Sequence, residues 1–191
     1  MKIAEYNFKR EINASYDAIM WNYWDHEHLY VVHENYTDAK VFYEDDKIAG
    51  YFLDFKVPLF SFLKSRSLNI MYLKDKNTIK VFNTGLFNLF SETTIKIYEV
   101  SENYCKLEMN YQFFLKGWLK LLEPFLEKMT AKWNKKVWDE DLQLKLRRSK
   151  LLENGFKDFK GMTNNKGIKQ KFKLPISRHI HSPVNIIKKI Y

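Results

Sequence analysis

The chain has 191 residues, of which 46% are hydrophobic and 17% aromatic, and this composition excludes a wholly disordered protein. Its single cysteine excludes an internal disulfide framework, a four-cysteine zinc site and a self-contained iron–sulfur cluster. No apolar run reaches the roughly eighteen residues of a membrane span, and the first residues lack the apolar core of a signal peptide. These features predict a cytoplasmic protein with one buried core.

The net charge of +9 is concentrated at the C-terminal end, where residues 156–191 hold nine Lys or Arg against one Asp. Residues 1–155 are therefore nearly neutral. Pro175 and Pro183 would interrupt a helix in the basic segment, whereas Gly155 suits the end of the helix before it. We predict a folded domain over residues 1–155 and a flexible basic tail over 156–191. Such a tail either stays solvated or contacts anionic membrane lipid or RNA.

Hydrophobic periodicity predicts one strand, a broken helical segment and six further strands. Tyr6 and Phe8 alternate with polar residues and indicate a half-buried first strand. A helical stretch is expected over about 16–33, with a break near Asp25. Further strands are expected near 38–45, 47–57, 66–74, 78–84, 91–100 and 104–115. The last alternates regularly, which is typical of an antiparallel sheet with one buried face and predicts that Cys105 is a buried thiol.

A long helix is predicted over about residues 118–154. On a helical wheel its main apolar stripe contains Leu122, Leu126, Met129, Trp133, Val137, Leu144 and Leu151. A second apolar patch lies on the far side and consists of Trp138, Leu142 and Leu146. The first stripe is expected to cover the sheet, and the second to contact a partner.

Two of the predicted connections, over 57–63 and 85–90, are apolar, whereas the other turns are short and polar. In an up-and-down meander the apolar connections fall at one end of the sheet, together with the entry to the long helix at 116–118. They either surround the mouth of a ligand cavity or simply close the core.

This order of elements resembles the helix-grip fold of the START-like superfamily, also called SRPBCC or Bet v 1-like, over residues 2–154. The resemblance implies an α+β domain in which a curved, seven-stranded antiparallel sheet wraps around the long C-terminal helix, with two short helices after the first strand. It also implies a cavity between sheet and helix that binds a hydrophobic small molecule, such as a lipid, an isoprenoid or quinone, or an aromatic compound. The residues expected to line this cavity are Phe8, Arg10, Tyr51, Leu53, Phe55, Leu107, Met109, Tyr111, Trp133 and Val137.

Three of the five histidines lie between positions 26 and 33, within the spaced motif Asn22-x2-Asp25-x2-His28-x4-His33. The motif resembles the one by which Rieske oxygenases present two iron-binding histidines, at the equivalent point of the fold. The resemblance implies that His28 and His33 are iron ligands, that Asp141 on the long helix is the third ligand, and that Asn22 and Asp25 orient a ligating imidazole. Two histidines and one carboxylate leave open positions on Fe(II) for oxygen chemistry.

The helical wheel leaves Glu140 as an alternative to Asp141, because Glu140 lies nearer the centre of the apolar stripe. Two interpretations of function remain. The chain is either a metal-free carrier of a hydrophobic molecule or a cluster-less mononuclear non-heme iron oxygenase. The second needs Fe(II) and a separate electron-transfer protein, because one cysteine cannot hold a Rieske cluster. We predict that His28 and His33 nitrogens lie within about 5 Å of each other and that a carboxylate of Glu140 or Asp141 points at the same spot. Nitrogens more than about 6 Å apart cannot share a metal, and the histidines would then be hydrogen-bonded structural residues.

Overall fold

The computed structural model of the protein describes residues 1–26, 28–45, 47–57, 60–85 and 88–155. The predicted basic tail over residues 156–191 lies outside the described residues, and its expected contact with lipid or RNA stays a prediction. The elements in chain order are β1 (Lys2–Ile12), α1 (Tyr16–Trp24), α2 (His28–Val32), β2 (Tyr36–Glu44), β3 (Ile48–Val57), β4 (Phe60–Asp75), β5 (Thr78–Thr84), β6 (Phe90–Ser101), β7 (Tyr104–Leu115), a 3₁₀ helix (Gly117–Leu122) and α3 (Glu123–Glu153).

The seven strands form one antiparallel sheet in the order β1-β7-β6-β5-β4-β3-β2. Strands β2 to β7 follow one another as an up-and-down meander. Strand β1 pairs with β7 along its whole length, from Lys2 opposite Leu115 to Ile12 opposite Cys105. Register shifts between β2 and β3 bend that edge of the sheet. The curved seven-stranded sheet and the long C-terminal helix are the predicted helix-grip fold, so the fold class is confirmed.

The two short helices arise from a cap and a break in the sequence. The N-cap residue of α1 is Ser15, whose Oγ accepts a hydrogen bond from the backbone N–H of Ala18 at 3.3 Å. The helix ends at Asp25, whose φ of −92° and ψ of 79° are not helical. Helix α2 then starts at His28. The predicted break near Asp25 is confirmed, and it positions the histidine motif.

The main hydrophobic core lies between the sheet and the helices. Its fully buried members include Ile19 and Met20 of α1 and Ile79, Ile97 and Leu107 of the sheet. Cys105 belongs to the same cluster, and burial raises the pKa of its thiol to about 11. The prediction of a buried thiol is confirmed.

The inward face of α3 differs from the predicted one. Its buried residues are Leu126, Thr130, Asn134, Asp141, Lys145, Arg148 and Ser149, most of which are polar. Trp138, Leu142 and Leu146 pack against the main core, so the prediction that this patch contacts a partner is wrong. A helical wheel that scores only hydrophobicity misplaces this face, because charged side chains can be buried when their partners are buried beside them.

No helix in the described ranges, α3 included, is long and apolar enough to cross a membrane.

The first predicted apolar loop is mostly strand. Strand β3 continues to Val57 and β4 begins at Phe60, so only residues 58–59 connect them, and the predicted loop over 57–63 is wrong. The end of β7 is followed by Gly117, whose φ of 58° is a left-handed conformation that favours glycine and turns the chain into the 3₁₀ helix.

Candidate metal centre

The two spaced histidines of the motif lie at opposite ends of α2. His28 is the first residue of this helix, and His33 directly follows it, with its backbone N–H donating to Leu29 O at 3.0 Å. Both are buried, at 7% and 2% exposure. Because α2 spans only five residues and ends before His33, the two side chains are not forced to diverge as they would on a continuous helix. Their ring centroids lie 5.7 Å apart.

A carboxylate from the long helix meets both imidazoles. Asp141 of α3 is 5% exposed, and its Oδ1 lies 3.2 Å from His28 Nε2 and 3.2 Å from His33 Nε2. One possible ligand atom from each of the three side chains lies within 4.8 Å of the others. Metal bonds of about 2 Å place ligand atoms roughly 3–4 Å apart, so a shift of about an ångström brings the trio to binding distance. It is the one trio of this kind in the described part of the chain.

The remaining ring nitrogens of both histidines also face hydrogen-bond acceptors. His28 Nδ1 contacts the backbone oxygen of Asp25, and His33 Nδ1 lies 2.6 Å from Glu140 Oε2. When the rings are neutral with the proton on Nδ1, each Nε2 offers its lone pair towards the Asp141 carboxylate; when the rings are protonated, each Nε2 carries an N–H. Among the described residues, no group makes a hydrogen bond of acceptable geometry to the buried Nε2 of His33.

The second oxygen of Asp141 is held by two donors. Its Oδ2 accepts hydrogen bonds from Lys145 Nζ at 2.9 Å and from Asn22 Nδ2 at 3.0 Å. Lys145 is 1% exposed, and its ammonium lies 4.8 Å from the ring centroid of Trp138 and 5.5 Å from that of Tyr23. This arrangement fixes the carboxylate and leaves Oδ1 directed at the imidazoles.

A second buried cation ties the turn between α1 and α2 to α3. Arg148 donates to Asn22 Oδ1 at 2.8 Å and to the Asp25 carboxylate, and its guanidinium lies 4.5 Å from the ring centroid of Trp21. Because the carbonyl of Asp25 in turn contacts His28, Arg148 holds the backbone that orients this imidazole.

The pKa shifts follow from this pairing of buried charges. Burial alone would raise the pKa of Asp141, but its close contacts with His28 and His33 and the charge of Lys145 hold it well below its usual range. Burial would lower the pKa of His33, yet Asp141 and Glu140 raise it. Burial lowers the pKa of Lys145, and the neighbouring Asp141 limits that decrease.

The structure brings together the ligand set that the motif suggested. Asp141, not Glu140, faces both imidazoles, whereas Glu140 contacts the outer nitrogen of His33. Asn22 contacts Asp141 directly. Asp25 contacts His28 through its backbone oxygen, so its role depends on the main chain as well as on its carboxylate.

The residues predicted to line a cavity lie between the sheet and the helices. Those in or packed against the main core are Phe8, Tyr51, Leu53, Leu107, Met109 and Tyr111. Val137 is half-buried on α3. Arg10 donates to Asn134 Oδ1 at 2.7 Å, so it pairs with a buried amide of α3.

An aromatic wall adjoins the trio. The ring of Tyr36 lies edge-on to His33, with centroids 5.4 Å apart, and it contacts Trp133 at 5.5 Å. Trp133 contacts Phe55 at 6.4 Å. Tyr36, Trp133 and Phe55 are all partly buried and pack edge to face, so an aromatic surface begins directly beside one of the histidines.

Sequence reasoning missed Lys145 and Arg148. Both carry a signal that could have identified them, because they follow Asp141 by four and seven residues and so share its helix face. Hydrophobicity does not mark them, because lysine and arginine are rarely buried unless they are paired.

No protein-family model matches the chain, and no curated protein matches its sequence. Solved structures do match its fold. A START superfamily protein from Mycobacterium smegmatis aligns with a TM-score of 0.58 and 13% identity, covering 77% of this chain and 98% of that protein. The structure titled Ara h 8.0201 aligns with a TM-score of 0.64 and 10% identity, covering 76% of this chain and 99% of that one.

Dicamba monooxygenase, solved with bound 3,6-dichlorosalicylic acid, also aligns. Its TM-score is 0.64 at 11% identity, and the alignment covers 98% of this chain and 58% of the enzyme. At such low identities these likenesses establish the START and Bet v 1-like helix-grip fold and nothing finer.

Proposed function

We propose that the chain binds one divalent cation, Fe(II), through His28, His33 and Asp141, and that it acts as a mononuclear non-heme iron protein on a hydrophobic small molecule. The observation that carries the proposal is the convergence of both Nε2 atoms on one carboxylate oxygen while both Nδ1 atoms face acceptors. When both imidazoles are neutral with the proton on Nδ1, their Nε2 lone pairs and the carboxylate oxygen converge on one point. A cation bound there would be coordinated by all three side chains.

The charges around the trio also suit a divalent cation. Lys145 pairs with Asp141 and Arg148 pairs with Asp25, whereas Glu140 contacts His33 and lies 3.7 Å from Lys136. Protonation of both imidazoles would add two positive charges, and a divalent ion would add the same number. The site can therefore exchange two protons for one metal ion without a change in its net charge.

The protein side chains have distinct roles in this proposal. Asp25 O and Glu140 fix the two ring orientations, and Lys145 and Asn22 hold the free oxygen of Asp141. Bound Fe(II) would supply oxygen chemistry at coordination positions that the protein leaves open. Electrons would come from outside these 191 residues, because their single cysteine cannot hold an iron–sulfur cluster.

The substrate class is proposed from the aromatic wall. Tyr36, Trp133 and Phe55 offer ring faces and edges beside His33, which suits an aromatic compound or an isoprenoid. The fold likeness to dicamba monooxygenase, solved with an aromatic acid bound, supports the same class.

Metal stoichiometry tests the proposal. Protein prepared anaerobically and dialysed against Fe(II) should retain about one iron per chain, and His28→Ala, His33→Ala and Asp141→Asn should each lose it. His26→Ala is the matched control, because His26 is equally buried, at 3% exposure, but stacks on Tyr51 outside the trio. Iron retained by all three variants, or by none of the proteins, would refute the proposal.

A second candidate is a metal-free carrier of a lipid, an isoprenoid or quinone, or an aromatic compound. The half-buried aromatic side chains between sheet and helix favour it, since a carrier needs an apolar surface and no metal. Native mass spectrometry should then show a co-purified organic molecule that is lost in Trp133→Ala and retained in His33→Ala. A molecule retained only when iron is bound would argue for the first candidate.

A further inference from the structure

The start of the long helix exposes a row of large apolar side chains. Trp118 and Leu121 of the 3₁₀ helix are 56% and 76% exposed, and Phe125 and Met129 of α3 are 70% and 39% exposed. Spacings of three and four residues place them along one side of the helical rod. We call these four residues the exposed strip.

The opposite side of the same segment is firmly anchored. Leu119 and Leu126 are 8% and 2% exposed and form a small buried cluster with Ala4 and Leu115. Since the apolar side chains needed for packing already face the protein, the exposed strip is not required to hold the helix in place. Contiguous apolar surface of this kind marks an interaction site.

Basic side chains surround the exposed strip. Four exposed lysines occur between positions 116 and 132, and they are Lys116, Lys120, Lys128 and Lys132. Of the two acids in this stretch, Glu123 forms an ion pair with Lys2, and Glu127 is exposed. The surface around the strip is therefore positive overall.

We propose that the exposed strip docks the protein on an anionic lipid surface, with the start of α3 lying in the plane of the interface. Aromatic and aliphatic side chains on one face with lysines at its borders are the composition of interfacial helices. The aromatic and aliphatic groups enter the boundary between head groups and acyl chains, and the lysines remain with the phosphates. This surface is independent of the proposed metal centre, because Met129 precedes Asp141 by roughly 18 Å along the helix axis.

Charge favours lipid over a second copy of the chain as the occupant. A two-fold contact across the strip would bring Lys128 and Lys132 of one copy towards the same residues of the other. An anionic bilayer instead provides opposite charge and an apolar phase together.

Vesicle co-sedimentation of the full chain tests the docking surface. Binding to phosphatidylcholine vesicles containing about a third phosphatidylglycerol should fall at least tenfold in Phe125→Glu and in Leu121→Glu. Lys128→Gln should weaken binding about fivefold on these vesicles and leave binding to pure phosphatidylcholine unchanged. Val100→Glu is the matched control, because Val100 is 54% exposed on β6, away from the strip, and it should bind as the wild type does.

Two results would overturn the proposal. In the first, Phe125→Glu and Leu121→Glu bind like the wild type, whereas deletion of residues 156–191 abolishes binding, so that the basic tail alone contacts lipid. In the second, the protein ignores vesicles but shows a dimer by analytical ultracentrifugation that Phe125→Glu dissociates. Circular dichroism of each variant confirms that the fold is retained.

Discussion

The two halves of α3 pack against different parts of the molecule, the first against the sheet and the second largely against α1 and the turn that follows it, and they do so with opposite chemistry. The first half buries Leu126 in a small cluster with Leu115, whereas the second half buries Asp141, Lys145 and Arg148. Apolar packing needs only a matching shape, but each buried charge needs a partner at hydrogen-bond distance. The first half therefore fixes the helix to the sheet, and the second half builds a site.

The largest expected effect on stability comes from removing a buried charge in the second half of α3. Asp141→Ala should lower the free energy of unfolding by about 3–5 kcal/mol, because it leaves Lys145 buried without its carboxylate. Asp139→Ala is the control, since Asp139 is an exposed neighbour that forms a surface ion pair with Lys135 at i,i+4, and it should cost about 0.5 kcal/mol or less. Urea titrations of both variants measure the difference. Equal costs would mean that the buried network contributes no more than a surface pair.

Substitutions in the first, apolar half of α3 should change stability through lost side-chain volume and not through charge. Leu126→Ala should cost about 2–4 kcal/mol, because Leu126 is 2% exposed and its removal leaves a cavity. Iron affinity should stay within about twofold of the wild type. Leu121→Ala removes the same side chain at 76% exposure and should leave thermal stability unchanged. A loss of iron in Leu126→Ala would show that the two halves are coupled.

Lys145→Met should change stability and metal affinity in opposite directions. Without metal, the variant loses the ammonium that holds Asp141 Oδ2, at a cost of about 1–3 kcal/mol. With metal, the loss of a buried positive charge near the cation should tighten Fe(II) binding about tenfold. Competition with a chelator of known affinity measures the second effect. Weaker binding in the variant would show that positioning of the carboxylate outweighs charge repulsion.

The smallest expected effects on stability come from two hydroxyl groups on the buried face of α3, those of Ser149 and Thr130. Ser149 Oγ accepts a hydrogen bond from the backbone N–H of Ser15 at 3.0 Å, so Ser149→Ala should cost about 1 kcal/mol. Thr130 Oγ1 is buried and has no hydrogen-bond partner among the described residues. Thr130→Val should therefore be neutral or slightly stabilising in differential scanning calorimetry.

The same contrast between apolar and charged packing explains which parts of the structure follow from the sequence. The strands alternate visibly, and Asp25 interrupts the helical pattern where α1 ends, so the element order and the fold follow from periodicity. The inward face of α3 does not follow from it. Hydrophobicity alone places Met129 inward, although it is 39% exposed, and places Trp138 outward, although it packs on the core.

The spacing of the motif suggests His28, His33 and Asp141 as candidate ligands through a resemblance. The folded structure adds the distances between their side chains. The wheel left Glu140 and Asp141 as alternatives, and only the folded chain distinguishes the acid that faces both imidazoles. Whether a cation binds there, and which organic molecule accompanies it, depends on the affinities of the groups and not on their pattern in the chain.

X-ray absorption spectroscopy of Fe(II)-loaded protein tests the central claim most directly. The proposal predicts a first shell of nitrogen and oxygen near 2 Å with the outer scattering of two imidazole rings, and one ring fewer in His33→Ala. A shell of water oxygens alone, or an imidazole signal that His28→Ala and His33→Ala both leave unchanged, would contradict the metal centre.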